Sequence, residues 1–369
     1  MSRYALVSVV IPTHGRSQEV VRAVESALGQ GYAPLEVIVV IDGPDIETVR
    51  LLNGTRDKRL RVIELDENMG GSEARNIGVR TARGEWVAFL DDDDRWVTRK
   101  LERQMEAAAV VQADYPIITS RLLAQDLDED RILPRRLYST GENVADYLFC
   151  RRGFSYGDGM LQTSTLLTKR SLLLDVPFLK GLKRHQDWDW LLRVSARSDV
   201  KIVMLPEVLT LMRVAGKGES VSHAADWRTS VAWAKLARPR MSARAYSFVI
   251  ATECVPRARK CGAGPSVQMR LLWEFLWNGQ PGMRQSALFF LFWMIPDGVL
   301  NELRGRRRRA LPAKILESVN QYERPYCAVS SGDSESRLGD GPGMFRPNDG
   351  CADRGARSWW SRVFSGRRR

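Results

Sequence analysis

Four aspartates stand side by side at Asp91, Asp92, Asp93 and Asp94, directly after the apolar run 86–90 (WVAFL). Adjacent carboxylates repel one another, and a hard divalent cation such as Mg²⁺ or Mn²⁺ relieves that repulsion through oxygen ligands. Mg²⁺ takes one or two protein carboxylates and leaves its other positions to water and substrate phosphate. An Asp-x-Asp at the end of a strand supplies that number. The competing reading is a solvated turn, because aspartates also favour the start of the helix that follows.

Three more polar clusters follow apolar runs. Pro12-Thr13-His14-Gly15-Arg16 ends the run 5–11, Asp42-Gly43 ends 35–41, and Asn68-Met69-Gly70-Gly71 follows 60–65. A carboxylate at Asp42 could accept bonds from a ribose or a base N–H; an Asp-Gly pair also makes a plain turn. In NMGGSEARNIG (68–78) the glycines permit close backbone approach, and the helix start that follows favours an anion. Arg75 falls in the first turn of that helix, where the dipole disfavours a cation. A phosphate or the aspartate cluster would explain it, and a surface ion pair is the alternative.

A second acidic patch is RHQDWDWLLR (184–193). Asp187 and Asp189 stand at a helix start, where either could cap. Asp189 is spaced to pair with Arg193 at i+4, which leaves Asp187 as the candidate general base. Trp188 and Trp190 could wall a sugar ring, or could be core at helical spacing.

These side chains need a scaffold that brings them together. The runs 5–11, 35–41 and 86–90 are continuous and apolar, and 60–65 alternates like a strand nearer an edge. Helices are predicted between them: one through residue 28, capped by Ser17 and closed by Gly29, one from Gly71-Ser72 to Gly84, and one over 98–112. Apolar strands separated by helices make an α/β fold with a mostly parallel sheet covered on both faces. Ligands bind beyond the carboxyl ends of such strands, so all four polar clusters should share one rim. Further on, the pattern predicts a short strand at 163–167, a helix over 187–196 and strands at 201–205 and 208–214. Residues 226–325 read as mostly helical. From Val329 onward Ser, Gly, Pro, Asp and Arg dominate, a composition of disorder. The boundaries that follow are 1–225, 226–328 and 329–369.

Composition narrows the class. With 44% apolar and 27% charged residues in 369, wholesale disorder, collagen and a disulfide miniprotein are excluded. The net charge of +12 is uneven, since residues 301–369 hold 15 basic and 8 acidic residues. That tail, and not the body, could attract phosphate or anionic lipid. Five cysteines without a CxxC pair argue for a reducing compartment and against structural zinc. Three scattered histidines rule out a His-rich metal centre. No apolar stretch reaches the about 18 residues of a membrane span.

The stretches VSVVIPTHGR, VIVVIDGP and ENMGGSEARNIGVRTARGEWVAFLDDDDRW, followed by HQDWDWLLR and LPEVLTLMRVAGKGESVS, resemble the family-2 inverting glycosyltransferases. The likeness covers residues 5–112 strongly, continues to 222 and does not reach the remainder. It implies a GT-A nucleotide-diphospho-sugar transferase fold with a C-terminal helical extension. Pro12, Thr13 and Asp42 would hold the nucleobase and ribose, most often uridine; Asn68 and Arg75 would line the same pocket. Asp91 and Asp93 would be the Asp-x-Asp pair, with Asp93 foremost as metal ligand and Asp92 between them in the nucleotide-sugar site. Asp187 would be the catalytic base, and Arg213 with Lys217 would close over the diphosphate. The family often has Glu-Asp where this chain has Gln186-Asp187, so the carboxylate that removes the proton is kept. The implied reaction is a metal-assisted single displacement from a nucleoside-diphosphate sugar, UDP-linked above all, to a hydroxyl acceptor in polysaccharide, glycolipid or other glycoconjugate synthesis.

Two segments of the extension, 271–277 (LLWEFLW) and 286–300, are the most apolar, and Arg304 and the arginines 306–309 follow. Such a pairing can lie in a membrane interface or form the core of a small helical subdomain. The first option gives a cytoplasmic protein, peripheral on the membrane, with a lipid-linked acceptor. No motif supports specific nucleic-acid binding. A sugar-nucleotide nucleotidyltransferase would carry a Gly-rich phosphate loop with Lys after its first strand, where this chain has Pro-Thr-His-Gly-Arg. A noncatalytic nucleotide-sugar-binding module would have lost the carboxylates that are present here.

Overall fold

The computed structural model describes residues 5–125, 130–151, 157–214 and 227–295. The first half alternates strand and helix: β1 (Val7–Thr13), α1 (Ser17–Leu28), β2 (Leu35–Ile41), α2 (Ile46–Asn53), β3 (Leu60–Glu64), α3 (Gly71–Thr81) and β4 (Trp86–Phe89). The strands are parallel in the order β3-β2-β1-β4. β1, β2 and β4 are buried along their whole length, whereas β3 is partly exposed at the edge, as its alternating sequence predicts. α1 turns Val20, Ala23, Val24, Ala27 and Leu28 inward at helical spacing. Ser17 is its first helical residue and not its cap; Arg16 takes the cap position and sends its side chain elsewhere. α2 escapes the sequence reading. It is short, and its start is marked by the Asp45 carboxylate accepting from Thr48 N at 3.0 Å.

The second half is β5 (Arg95–Trp96), α4 (Lys100–Val110), β6 (Tyr115–Gln125), β7 (Arg131–Leu133), α5 (Val144–Phe149), β8 (Leu167–Lys169), α6 (Arg170–Asp175), α7 (Gln186–Val194) and β9 (Val200–Arg213). The sheet continues β4-β8-β6-β9-β5, with β7 beside β6. β8 is antiparallel to β4 and to β6, while β6 and β9 run parallel. The parallel block is thus the N-terminal half, and the sheet becomes mixed beyond it.

Several boundaries differ from the sequence reading. β6 carries no alternation and buries Thr119 and Ser120, so neither periodicity nor polarity marks it. The segment 163–167 splits into a 3₁₀ turn, Thr163–Thr165, and the start of β8. The expected strands 201–205 and 208–214 are one strand, β9; its register against β6 slips between Leu205 and Val208, so a bulge absorbs Pro206. α3, α4 and α7 each stop two or three residues short of their expected ends.

The extension comprises α8 (Trp227–Ala237), α9 (Ala243–Val249), a π-helical turn (Ile250–Cys254), α10 (Val255–Lys260), α11 (Pro265–Trp273), a second π-helical turn (Glu274–Asn278) and α12 (Met283–Met294). It shares one core with the sheet, in which Val10, Phe89 and Trp190 join Trp233, Phe248, Phe275 and Phe289. A second core, with Val9, Val20, Val39 and Leu101, covers the other face. Lys217, the arginines after Asn301 and the tail from Val329 lie outside the described residues. Among the described residues, no helix is long and apolar enough to cross a membrane, and Cys150, Cys254 and Cys261 are free thiols.

α3 lies close on β1 because Gly78 has no side chain: a Cβ there would meet Val10 Cγ1 at 2.3 Å. Val10 is β-branched and buried, so it cannot swing away. Gly78→Val should therefore cost at least about 2 kcal/mol, read as a lower urea midpoint with an unchanged m-value. A midpoint equal to wild type would show that this approach is not close.

Candidate active site

The aspartate turn begins where β1 and β4 part. Their ladder ends with Leu90 N donating to Val10 O at 3.1 Å. Pro12 comes next on that side of β1, where its missing N–H leaves no gap in the pairing. Asp94 N then bonds Asp91 O at 3.1 Å and closes the turn.

Each carboxylate of the turn is held from a different element. Asp91 Oδ1 accepts from Arg75 Nη2 at 2.5 Å and Oδ2 from Gln162 Nε2 at 3.1 Å. Asp92 accepts from Thr13 Oγ1 at 2.8 Å and from Arg16 Nη1 at 2.9 Å, and the same Arg16 nitrogen reaches Asp93 Oδ2 at 2.8 Å. Asp94 Oδ2 accepts from Ser164 Oγ at 2.6 Å and Gln162 Nε2 at 2.9 Å, while its Oδ1 is buried without a hydrogen-bond partner. Burial pushes Asp92 up to about 6, against the pull of Arg16. Burial also raises Asp93 and Asp94, and the charge of Asp91 adds to both.

That electrostatic tension tests the fit to a cation. Among the described residues no three His, Cys, Asp or Glu side chains form a ready-made cage. The fit is to an ion that takes two carboxylates and completes its shell with water and phosphate. Asp91 and Asp93 repel each other across the turn, and an orphaned oxygen of Asp94 lies in the same cluster. An all-oxygen donor set of this kind suits Mg²⁺ or Mn²⁺.

The Asp42 and Asn68 clusters meet beside the turn. Asp42 is buried, and both of its oxygens accept backbone N–H groups, from Met69 at 2.7 Å and Gly70 at 2.9 Å. Gly70 has φ 87°, a left-handed conformation that glycine adopts without strain. His14 Nδ1 donates to Asp42 O at 2.7 Å, so its Nε2 is the acceptor for Asn68 Nδ2 at 3.2 Å. Thr13, Asp42 and Asn68 thus form one hydrogen-bonded rim, as the carboxyl-end rule predicts.

Arg75 joins this rim to the second acidic patch. Besides Asp91 it donates to Gln186 Oε1 at 2.7 Å. Its place at the start of α3 is explained by that double attachment. Asp187, the next residue, is half-buried; its Oδ1 accepts the N–H of Trp188 at 2.9 Å. Burial pushes Asp187 up to about 6, Asp91 adds to the rise, and Arg75 opposes it. Asp189 pairs with Arg193 at 2.8 Å, as their spacing predicts. The two tryptophans divide the roles: Trp190 is core, and Trp188 lines a cavity.

Two cavities flank the turn. One, of about 340 Å³, is lined by Asp93, Asp94, Glu19, Arg22, Arg95 and Arg213. Arg213 also reaches Glu19 at 3.4 Å. The other, of about 230 Å³, holds Asp187, Gln162, Trp188, Arg184, Thr252 and Glu253 among its lining. Asp93 and Asp187 therefore open on neighbouring cavities, and Gln162, which bonds Asp94 from the second, stands between them. His14, Arg16, Gln162, Ser164 and Gln186 are site residues to which the sequence assigns no role. Gln162 and Ser164 carry no motif; only the fold brings them under the aspartates.

The sheet order and the rim of carboxylates are those of a GT-A nucleotide-sugar transferase fold. Residues 8–158 match the model of Glycosyl transferase family 2. The chain is 28% identical over 235 residues to the amylovoran biosynthesis glycosyltransferase AmsB of Erwinia amylovora, covering 60% of this chain and 75% of that protein. It is 36% identical over 100 residues to WfaP of Escherichia coli, a UDP-Glc:alpha-D-GlcNAc-diphosphoundecaprenol beta-1,3-glucosyltransferase, covering 27% of this chain and 40% of that one. The structure of S. aureus TarS 1-349 in complex with UDP-GlcNAc superposes with a TM-score of 0.51 at 18% identity, over 85% of this chain and 91% of TarS 1-349, a likeness of fold.

The aspartate cluster should make stability depend on divalent cations. At pH 7.5, saturating Mg²⁺ or Mn²⁺ should raise Tm by about 3–6 °C over EDTA. The rise should shrink at pH 5, because burial pushes Asp92 up to about 6 and also raises Asp93, so that protons compete with the cation there. Asp93→Asn should remove most of it. An undiminished rise in that variant would place the cation elsewhere.

Proposed function

We propose that this protein is an inverting glycosyltransferase that moves a sugar from a nucleoside-diphosphate sugar, UDP-linked, to a hydroxyl acceptor in polysaccharide or glycolipid assembly. The observation that carries this reading is the link from Asp91 through Arg75 to Gln186, the residue before Asp187. It sets a cation-suited carboxylate and a half-buried candidate base side by side. The donor assignment draws support from the UDP-GlcNAc complex of TarS and the UDP-Glc substrate of WfaP.

In this reading Thr13, Pro12, Asp42 and Asn68 hold the nucleoside. Asp42 acts through the loop whose amides it binds. Asp91 and Asp93 would hold Mg²⁺ or Mn²⁺, which when bound neutralises charge on the leaving diphosphate. Asp92 fixes the turn to Thr13 and Arg16, and Arg213 faces the same cavity as Asp93. Asp187 takes the proton from the acceptor hydroxyl, and that oxygen displaces the diphosphate from the opposite face of the sugar. The anomeric configuration inverts. Glu253, in the Asp187 cavity, is held by Arg257 at 2.9 Å and Arg184 at 3.6 Å and is not placed as a nucleophile.

The extension supports a cytoplasmic protein that touches the membrane and meets a lipid-linked acceptor. Its apolar segments are two-faced: Leu271, Phe275, Leu288 and Phe289 are buried, whereas Trp273 and Trp277 stack on each other at 4.1 Å in solvent, beside exposed Met269 and Leu276. Amphipathic helices with exposed tryptophans suit a membrane interface.

With a panel of nucleotide sugars and Mg²⁺ or Mn²⁺, UDP release should depend on the cation and stop with EDTA. Asp187→Asn should lower kcat by about 10²–10⁴-fold while UDP affinity stays within a few-fold. Parallel loss of both would make Asp187 structural. Because the base works as carboxylate, kcat should fall tenfold per pH unit below about 6. In liposome flotation the protein should rise with anionic vesicles and less so as Trp273→Ala/Trp277→Ala. No flotation of either form would remove the membrane contact.

A further inference from the structure

We propose that His185 is a positioning residue: its ring, packed in a three-ring cluster with Trp188 and Trp233, fixes the left-handed turn that aims Asp187. The inference rests on reading Asp187 as the base. His185 is the sole non-glycine residue with positive φ among those described, at φ 63° and ψ 24°. It occupies the cap position of α7, and its carbonyl accepts the first helical bond, from Asp189 N at 2.8 Å. Its side chain makes no cap bond of its own. Glycine or asparagine would take this backbone conformation with less strain. A histidine here needs compensation from its ring.

The ring finds that compensation in the fold. It is 5% exposed. It stacks on Trp188 with centroids 4.8 Å apart and on Trp233 at 4.4 Å, at interplanar angles of 18° and 28°. Nε2 lies 3.0 Å from Ser230 Oγ. Phe149 adds edge contacts to both tryptophans. Burial, with Arg184 and Arg257 nearby, holds the imidazole neutral by lowering its pKa to about 2, so the cluster persists across the working pH range.

The geometry has a direct consequence for catalysis. Asp187 follows His185 by two residues, and Gln186 between them is tied to Arg75. The base is therefore located from both sides: from the donor site through Arg75, and from the extension through Trp233 and Ser230 of α8. The helical extension then belongs to the catalytic apparatus, although no residue of α8 faces the chemistry.

The test uses full-length protein and compares His185→Gly, Trp233→Leu and Trp233→Phe with Asp187→Asn. Melting curves and UDP titration accompany the kinetics. His185→Gly keeps the backbone turn and loses the ring, and should lower kcat at least about tenfold while donor KM and UDP affinity stay within about twofold. Trp233→Leu should behave likewise, and Trp233→Phe, which keeps a stacking face, should recover most of the loss. A folded His185→Gly with kcat within twofold of wild type would overturn the inference. Should His185→Gly fail to fold, the Trp233 pair decides: equal kcat for Leu and Phe overturns it, and a Phe-specific recovery supports it. Turnover retained by Asp187→Asn would instead sink the reading of Asp187 as base, and the role of His185 with it.

Discussion

Four neighbouring carboxylates drawn out of water repel one another, and the architecture around them answers that repulsion. Asp92 and Asp93 are raised above ordinary carboxylates even with Arg16 between them, and Asp94 more so. Isolated ionised carboxylates in such a setting would take up protons. The fold supplies hydroxyl, amide and guanidinium donors from the end of β1 (Thr13), the loop between β1 and α1 (Arg16), α3 (Arg75) and the turn 162–164. They leave part of the charge uncompensated, on oxygens of the kind that a hard cation takes as ligands. A fully neutralised cluster would be more stable and of no service to a phosphate-bound metal.

Arg75 is the hinge of this arrangement. Its helix position is unfavourable for a cation, yet its guanidinium donates in two directions that a lysine could not serve together. One bond holds the aspartate turn and the other holds the start of α7. Residues 111 apart in sequence are thereby locked in register by one planar group. The extension braces the same turn from behind, through the stacked tryptophans around His185. Its first helix also completes the core around Trp190. Removing the extension would therefore expose apolar surface and loosen the candidate base together.

Legibility in the sequence followed burial on two faces. β1, β2 and β4 are buried throughout, so their residues form unbroken apolar runs, and their ends coincide with the polar clusters. β6 is as central but holds buried Thr119, whose hydroxyl bonds that of Thr165 at 2.7 Å; the polarity that hides the strand is satisfied only in the fold. Pro206 splits β9 on paper because a proline interrupts a ladder, and the bulge that accommodates it needs β6 as partner. Gln162 and Ser164 are invisible for a similar reason: their types are common, and their role arises from lying beneath Asp91 and Asp94.

Apart from α2 and the short β5, the order of strands and helices in the first 110 residues, the rim on which the polar clusters gather, and the candidate pair of acidic patches were fixed by local chemistry: apolar runs, glycine turns and charge spacing act over a few residues and are written there. Tertiary structure alone decided which oxygens remain available, because hydrogen-bond partners for Asp42, Asp91, Asp92 and Asp94 come from distant segments. It alone set Asp187 beside Asp91 and placed Trp233 against His185. Through-space electrostatics and ring stacking depend on distance between groups, and a chain does not possess those distances until it has folded.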